Sequence, residues 1–407
     1  MSVKVPREES GLEEKIWTRD FTLIFTANFL SFLGFQMLIP TLPLYVRELG
    51  GSDWLIGWVV GSFTFSALLI RPYAGHAIDI RGRKPILLAG MGLLVLSVSS
   101  FAFVGHLFLL LLMRMVQGVG WGLSTTASGT VATDLIPPRR RGEGLGYYGL
   151  SINLAMTVGP ALGLAIVGWH HFPVLFLLSA LLGLGALGLA ASIRFQPLPS
   201  PSGRIQAASA AATRFAWDIV EKTALVPATL TLFITVTFGG ISTFLPIYAT
   251  EKGIAGIQWY FVLYAITLMV TRPLAGKLYD LKGHRAVFIP GTLLIIIAML
   301  FLAWMNHTWM LLFASMLYGA GFGTIQPAMQ AWAVQHAPPE RKGMANATFF
   351  SSFDLGIGLG AIFFGLIAPI IGYSGIYLIG AGSVVLSIIG YLFFTTVNKK
   401  KTSGAAF

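Results

Sequence analysis

A twelve-residue pattern occurs twice in this chain, 201 residues apart. Arg71-Pro72-x-Ala74-Gly75-x-x-x-Asp79-x-x-Gly82 returns as Arg272-Pro273-x-Ala275-Gly276-x-x-x-Asp280-x-x-Gly283. The same offset carries Gly118, Gly120 and Gly122 onto Gly319, Gly321 and Gly323, and Gly159 onto Gly360. It also carries Pro137-Pro138 and Gly142 onto Pro338-Pro339 and Gly343. A register that holds without a gap over roughly ninety residues marks a chain built from two equivalent halves. Any fold for it must place like residues at like positions twice.

The solvent of both halves follows from their composition. Hydrophobic residues are 55% of the chain and charged residues 11%, against about 25% charged in a soluble protein. The chain has room for twelve apolar segments of roughly 20 residues, the length that crosses a bilayer. They are expected near 21–46, 55–78, 85–104, 107–133, 144–167, 173–193, 224–250, 259–280, 286–304, 309–334, 345–370 and 376–397. An all-α membrane protein of two six-helix bundles is thus expected, 21–193 and 224–397. A tail (1–20), a linker (194–223) and a second tail (398–407) flank and join them. Ile205 to Lys222 is expected to form a short interfacial helix in that linker.

The net charge of +11 reflects topology, not a nucleic-acid partner. Of 27 Lys and Arg, 21 lie in the tails and in the loops after even-numbered spans, and only Arg47 and Lys252 in the loops after odd-numbered ones. The positive-inside rule puts the tails and the linker in the cytoplasm, in a multi-pass protein of the cell membrane. There is no cysteine, which excludes disulfides, zinc–thiolate sites and thiol nucleophiles. No activated serine, metal-ligand cluster or phosphate-binding glycine loop stands out. Neither an enzyme nor a cofactor or metal is expected.

The loop after span 2 reads Gly75-His76-Ala77-Ile78-Asp79-Ile80-Arg81-Gly82-Arg83-Lys84. Gly75 permits close helix contact, Gly82 a tight turn, and Asp79 and Arg83 lie four apart, in position to pair. This loop resembles the cytoplasmic signature of the major facilitator superfamily, Gly-x-x-x-Asp-Arg-x-Gly-Arg-Lys, with Ile80 departing from it. The resemblance implies a gating charge cluster that Asp134 completes from the end of span 4. In the second copy Asp280 is kept, but His284 replaces Arg83 and Gln335 replaces Asp134, so a weaker latch is expected.

Two further motifs refine the resemblance. Arg114-x-x-Gln117-Gly118-x-Gly120 in span 4 is similar to a signature of proton-coupled members. Gly146-(x8)-Ala155-(x3)-Gly159-Pro160-x-x-Gly163-Leu164 in span 5 resembles the antiporter motif, with Ala155 and Leu164 in place of glycines. Small residues at 155, 159 and 163 share a helix face, and Pro160 supplies a kink. Spans 1, 4, 7 and 10 line the cavity in this superfamily. The resemblance therefore makes Phe35, Gln36, Gln117, Trp121, Phe238, Phe244, Gln326, Gln330 and Trp332 candidate cavity residues.

Of the 16 carboxylates, only Asp354 falls near the middle of a span. Its repeat mate is Asn153. Desolvation at that depth favours a neutral carboxyl, which suits proton coupling; the alternative is a static partner for Arg71 or Arg272. Those two arginines, kept in both copies, are read either as structural or as contacts for an anion. The likeness is greatest to twelve-helix drug:proton antiporters, implying a monomer in the bilayer that exports a small organic substrate against protons. An importer of a small metabolite and an exporter of one anionic metabolite remain as rivals.

Overall fold

A computed structural model describes residues 15–137, 140–169, 171–195, 220–335, 337–338 and 342–403. Most of the expected tails and linker, with the interfacial helix in it, lies outside them. Among the described residues the chain is helical, and eleven helices are long and apolar enough to cross a membrane. The last of them holds two spans, so the expected twelve are present.

Two boundaries differ from the sequence expectation. Span 1 is interrupted: Arg19–Leu38 ends before Pro40, and a short helix, Leu42–Glu48, resumes with Pro43 in its first turn. Proline lacks the N–H that a helix interior needs and disfavours helix at the residue before it. At the other end of the chain, spans 11 and 12 are not separated by a loop. They form one element, Lys342–Ser403, broken only at Gly372, where φ is 73° and ψ 168°. A residue without Cβ takes that conformation at little cost, so a single glycine replaces a connection.

The remaining spans are Asp53–Arg81, Arg83–Phe101, Leu107–Leu135, Arg141–Trp169 and Phe172–Ala191 in the first half, numbered 2 to 6. Leu225–Glu251, Ile257–Lys282, Arg285–Ala303 and Thr308–Gln335 are spans 7 to 10. Gly82 (φ 91°) and Gly283 (φ 71°) turn the chain between spans 2 and 3 and between spans 8 and 9. The repeated glycine of the motif thus occupies a left-handed turn in both copies.

The packing plan is also written twice. Span 1 packs on spans 5 and 6, span 4 on spans 2 and 3, and span 3 on span 6. Spans 7 to 12 repeat these pairings. The glycine triplets explain how. A Cβ on Gly118 or Gly122 would collide with span 2 at the carbonyls of Phe63 and Ala67, and one on Gly120 with span 3 at Gly90. Gly319 and Gly323 stand likewise against Tyr264 and Leu268, and Gly321 against Gly291. Apolar side chains gain little from leaving lipid, so close backbone approach at small residues supplies the packing.

The halves meet along two seams, span 2 on span 11 and span 5 on span 8. We call the end of the bundle carrying Gly82, Asp134 and Gly283 the basic end. Away from it, the first seam is tight: Gly57 has no room for a Cβ beside Ala361, nor Gly365 beside Asp53. Toward it the halves part. Among the described residues, spans 4 and 5 pack on neither span 10 nor span 11. A Cβ at Gly75, Gly146, Gly149 or Gly276 would meet nothing within 4 Å. The bundle is closed at one end and open at the basic end, and the close helix contact expected at Gly75 is not made in this conformation.

Candidate functional site

At the point where each seam opens, an arginine reaches across it. Arg71 of span 2 binds Asp354 of span 11, with Nη1 2.6 Å from Oδ2. Arg272 of span 8 donates from Nη1 to Oδ1 of Asn153 in span 5 at 2.6 Å, and from Nη2 to Oε1 of Gln326 in span 10 at 2.7 Å. Arg71 and Arg272 are repeat mates, and so are Asn153 and Asp354. One pseudo-twofold pair of contacts therefore links the halves, ionic in one seam and charge–amide in the other. Asp354 is a paired carboxylate, and of its two candidate partners it binds Arg71. The Arg71 and Asp354 side chains keep 26% and 32% of their exposure, so both remain accessible.

Further inside the first half, Arg114 is buried, at 3% exposure. Its Nε donates to the Val59 carbonyl at 3.1 Å and its Nη1 to Oε1 of Gln117 at 2.5 Å. Its guanidinium lies 4.5 Å from the ring centre of Phe63. Phe63 stacks on Phe35 at 4.9 Å, and Phe35 on Trp121 at 4.0 Å. A column of cation and rings thus runs from span 4 across spans 2 and 1. The other half builds its counterpart without the cation: Phe238 stacks on Phe322 at 5.6 Å and lies 6.1 Å from Tyr264. Ser315 stands where Arg114 does in the first half. Arg114 faces a carbonyl, an amide and a ring, so it does not snorkel to water, and its cation–π contact is worth about 2 kcal/mol when desolvated.

The small residues of span 5 serve packing within the first half. A Cβ on Gly159 would strike Gln36, and one on Gly163 the Met37 backbone, both on span 1. Pro160 lies inside that helix, beside them. Gln36 is buried against this contact.

At the basic end, Arg83 Nε is 2.9 Å from Asp134 Oδ2. Asp79 and Asp280 lie in the described helices, but their side chains are outside the described residues. In the second half, Gln335 accepts from the Tyr279 hydroxyl at 2.8 Å, and His284 stacks flat on Trp332 at 4.3 Å and bonds Tyr391.

Three of the cavity expectations need correction. Phe244 is fully buried and packs on Tyr373 near the closed end, so it is core. Trp332 is tied up between His284 and Tyr391 at the basic end. Gln117 is buried at 1% exposure and held by Arg114, so it too is core, while Gln330, half-buried, bonds Asn346 of span 11 at 2.9 Å. A helical period tells which residues share a face, and span number alone does not tell which face looks into the cavity.

Two clusters escaped sequence reasoning. At the closed end, Arg47 lies 3.0 Å from Asp53 and 3.3 Å from Glu251, and also bonds the Tyr373 hydroxyl, which in turn donates to Asp53 at 2.7 Å. This network joins the two halves around a cleft of about 390 Å³. The signal was available, because Arg47 is one of only two basic residues on that side. The second cluster is Asn28, which donates to Ser151 at 2.9 Å and accepts from Tyr148 at 2.9 Å and Ser128 at 3.3 Å. It ties spans 1, 4 and 5 together.

Two pseudosymmetric helical halves, closed at one end and enclosing charged contacts at their seams, define a membrane transporter. The family model described as Major Facilitator Superfamily matches residues 24–257 and again 253–406, and the chain belongs to that family. An uncharacterized MFS-type transporter of Methanocaldococcus jannaschii is 26% identical, over 91% of this chain and 97% of its own. The quinolone resistance protein NorA of Staphylococcus aureus is 28% identical, over 81% of this chain and 86% of its own. Among solved structures, a POT family transporter in complex with a thioalcohol-conjugated peptide shares the fold, with a TM-score of 0.74 at 15% identity, over 93% of this chain and 96% of its own.

Proposed function

We propose that this protein is a proton-coupled exporter of small amphipathic organic compounds, working by alternating access as a monomer in the cell membrane. Its basic loops, tails and linker face the cytoplasm, so the open end receives substrate from inside. The observation that carries the reading is the Arg71–Asp354 contact. Asp354 is the single carboxylate near the middle of a span, and it binds an arginine of the opposite half. A proton on Asp354 removes the charge that Arg71 holds, so protonation and separation of the halves draw on one free energy. The half-buried rings of Phe35 and Phe238, each stacked on a buried partner, Trp121 and Phe322, offer the apolar wall that an amphipathic substrate needs. The likeness to NorA, whose name speaks of quinolone resistance, supports export over import.

The test is flux of a fluorescent quinolone into proteoliposomes under an imposed pH gradient. Asp354→Asn carries the neutral side chain permanently, so gradient-driven accumulation is expected to vanish while exchange at equal pH persists. Accumulation by the Asn variant at the parent's rate would assign coupling elsewhere.

A further inference from the structure

We infer that the seam between spans 5 and 8 is a binding site for the carboxylate of an organic anion, with Arg272 as its anchor. The inference names the substrate class of the exporter proposed above and rests on that reading for its physiological meaning.

The two copies differ by an exchange of Asp for Asn, Asp354 against Asn153. Arg71 faces a resident carboxylate, Asp354, across its seam. Arg272, in the mate position, faces Asn153 and Gln326, which offer only amide oxygens. No described carboxylate lies within 4 Å of Arg272. The site therefore lacks one negative charge relative to its own symmetry mate. One of its donors is also unused: Arg272 Nε is buried without a hydrogen-bond partner. A charged group in a membrane span is costly and is normally retained for use, and a buried donor without a partner adds to that cost.

A carboxylate supplies what this guanidinium lacks. It accepts from a guanidinium in two parallel bonds. Asn153 and Gln326 then hold the guanidinium in orientation, as neutral groups that do not compete for its charge. Arg114 does not fit this role. It is fully buried, its donors face Val59 and Gln117, and Phe63 covers its face. Arg272 instead sits where its seam opens, since a Cβ at Gly276, one turn further toward the open end, would meet nothing within 4 Å. The ligand class is therefore an organic monocarboxylate.

The experiment measures binding of 2-naphthoate and of its methyl ester to the full-length protein in lipid nanodiscs, with no pH gradient. The acid is expected to bind at least about tenfold tighter than the ester, the factor worth roughly 1.4 kcal/mol. Asn153→Asp installs the missing carboxylate at nearly unchanged size. It is expected to weaken naphthoate binding by about thirtyfold or more, as an occupied charge site must, and to weaken ester binding far less. Arg272→Gln should erase the difference between acid and ester. Ester binding serves as the check that each variant is folded. Equal affinity for acid and ester in the parent, or full naphthoate affinity in Asn153→Asp, overturns the inference. These readouts are independent of coupling. Loss of proton-driven flux with an intact acid preference sinks the exporter reading alone, and proton-driven flux without that preference sinks this one alone.

Discussion

At the basic end of the first half, a guanidinium holds a carboxylate, Arg83 on Asp134. At the same place in the second half, a tyrosine hydroxyl holds an amide and a histidine lies flat on a tryptophan. The contrast recurs at two further depths. Arg114 above Phe63 is answered by Ser315 and Tyr264 at the mate positions, and the Tyr148–Ser128 contact falls at the mates of Phe349 and Met329. The glycines that join span 4 to spans 2 and 3, and span 10 to spans 8 and 9, are the same in both halves; the charges at Arg83, Arg114 and Asp134 are not. A packing contact is required wherever the bundle is built, hence twice. A charge is costly in a membrane, and one copy suffices where its work is done once. The halves share a scaffold and divide the electrostatics between them.

The comparison breaks most visibly at the seams. Arg71→Gln leaves Asp354 without its partner, whereas Arg272→Gln leaves two neutral amides. For an uncharged substrate, Arg71→Gln is expected to abolish pH-driven flux in proteoliposomes, because Asp354 loses the charge that ties its protonation to the seam. Arg272→Gln should retain most of that flux. Equal losses would mean that both arginines serve packing.

A smaller difference is expected at the basic end. Asp134→Asn removes the carboxylate that Arg83 holds and shifts the balance of open and closed states, slowing transport about tenfold. Gln335→Leu, at the mate position, should change the rate by no more than about twofold, because a neutral hydrogen bond is all that it removes. Side-by-side transport rates at matched expression decide it, and a larger loss in the Gln335 variant would reverse the assignment of the latch.

The smallest effect concerns the buried polar hub. Tyr148→Phe gives the first half the residue that the second half carries, and takes one donor from Asn28. Thermal denaturation in detergent should show a loss near 0.6 kcal/mol, the average for such bonds between membrane helices. An unchanged midpoint would mean that Ser128 alone satisfies Asn28.

Much of this architecture was legible before any coordinate. The twelve spans, the two halves and the turn glycines followed from hydropathy and from one repeat, because lipid forces each crossing segment to satisfy its own backbone. The glycine triplet at 118, 120 and 122 was visible only as part of the repeat, and its place in close packing came with the neighbouring helices. The break at Pro40 and Pro43 was also written locally, although the segment was read as continuous.

What the sequence left open depends on which helix faces which. Asp354 stood out by its depth, yet its two candidate partners were equivalent by the repeat. Only the seam of spans 2 and 11 gave it to Arg71, 283 residues away, and left Arg272 with Asn153. Phe244 and Trp332 shared spans with cavity residues and proved to be packed elsewhere, because the rotation of a helix about its axis is set by its neighbours. The Arg47 network joins residues of spans 1, 2, 7 and 12, and no local pattern brings those together. A repeat states that two positions are equivalent, and depth states what a charge there costs. The partner that meets the cost is chosen by the packing of one half against the other.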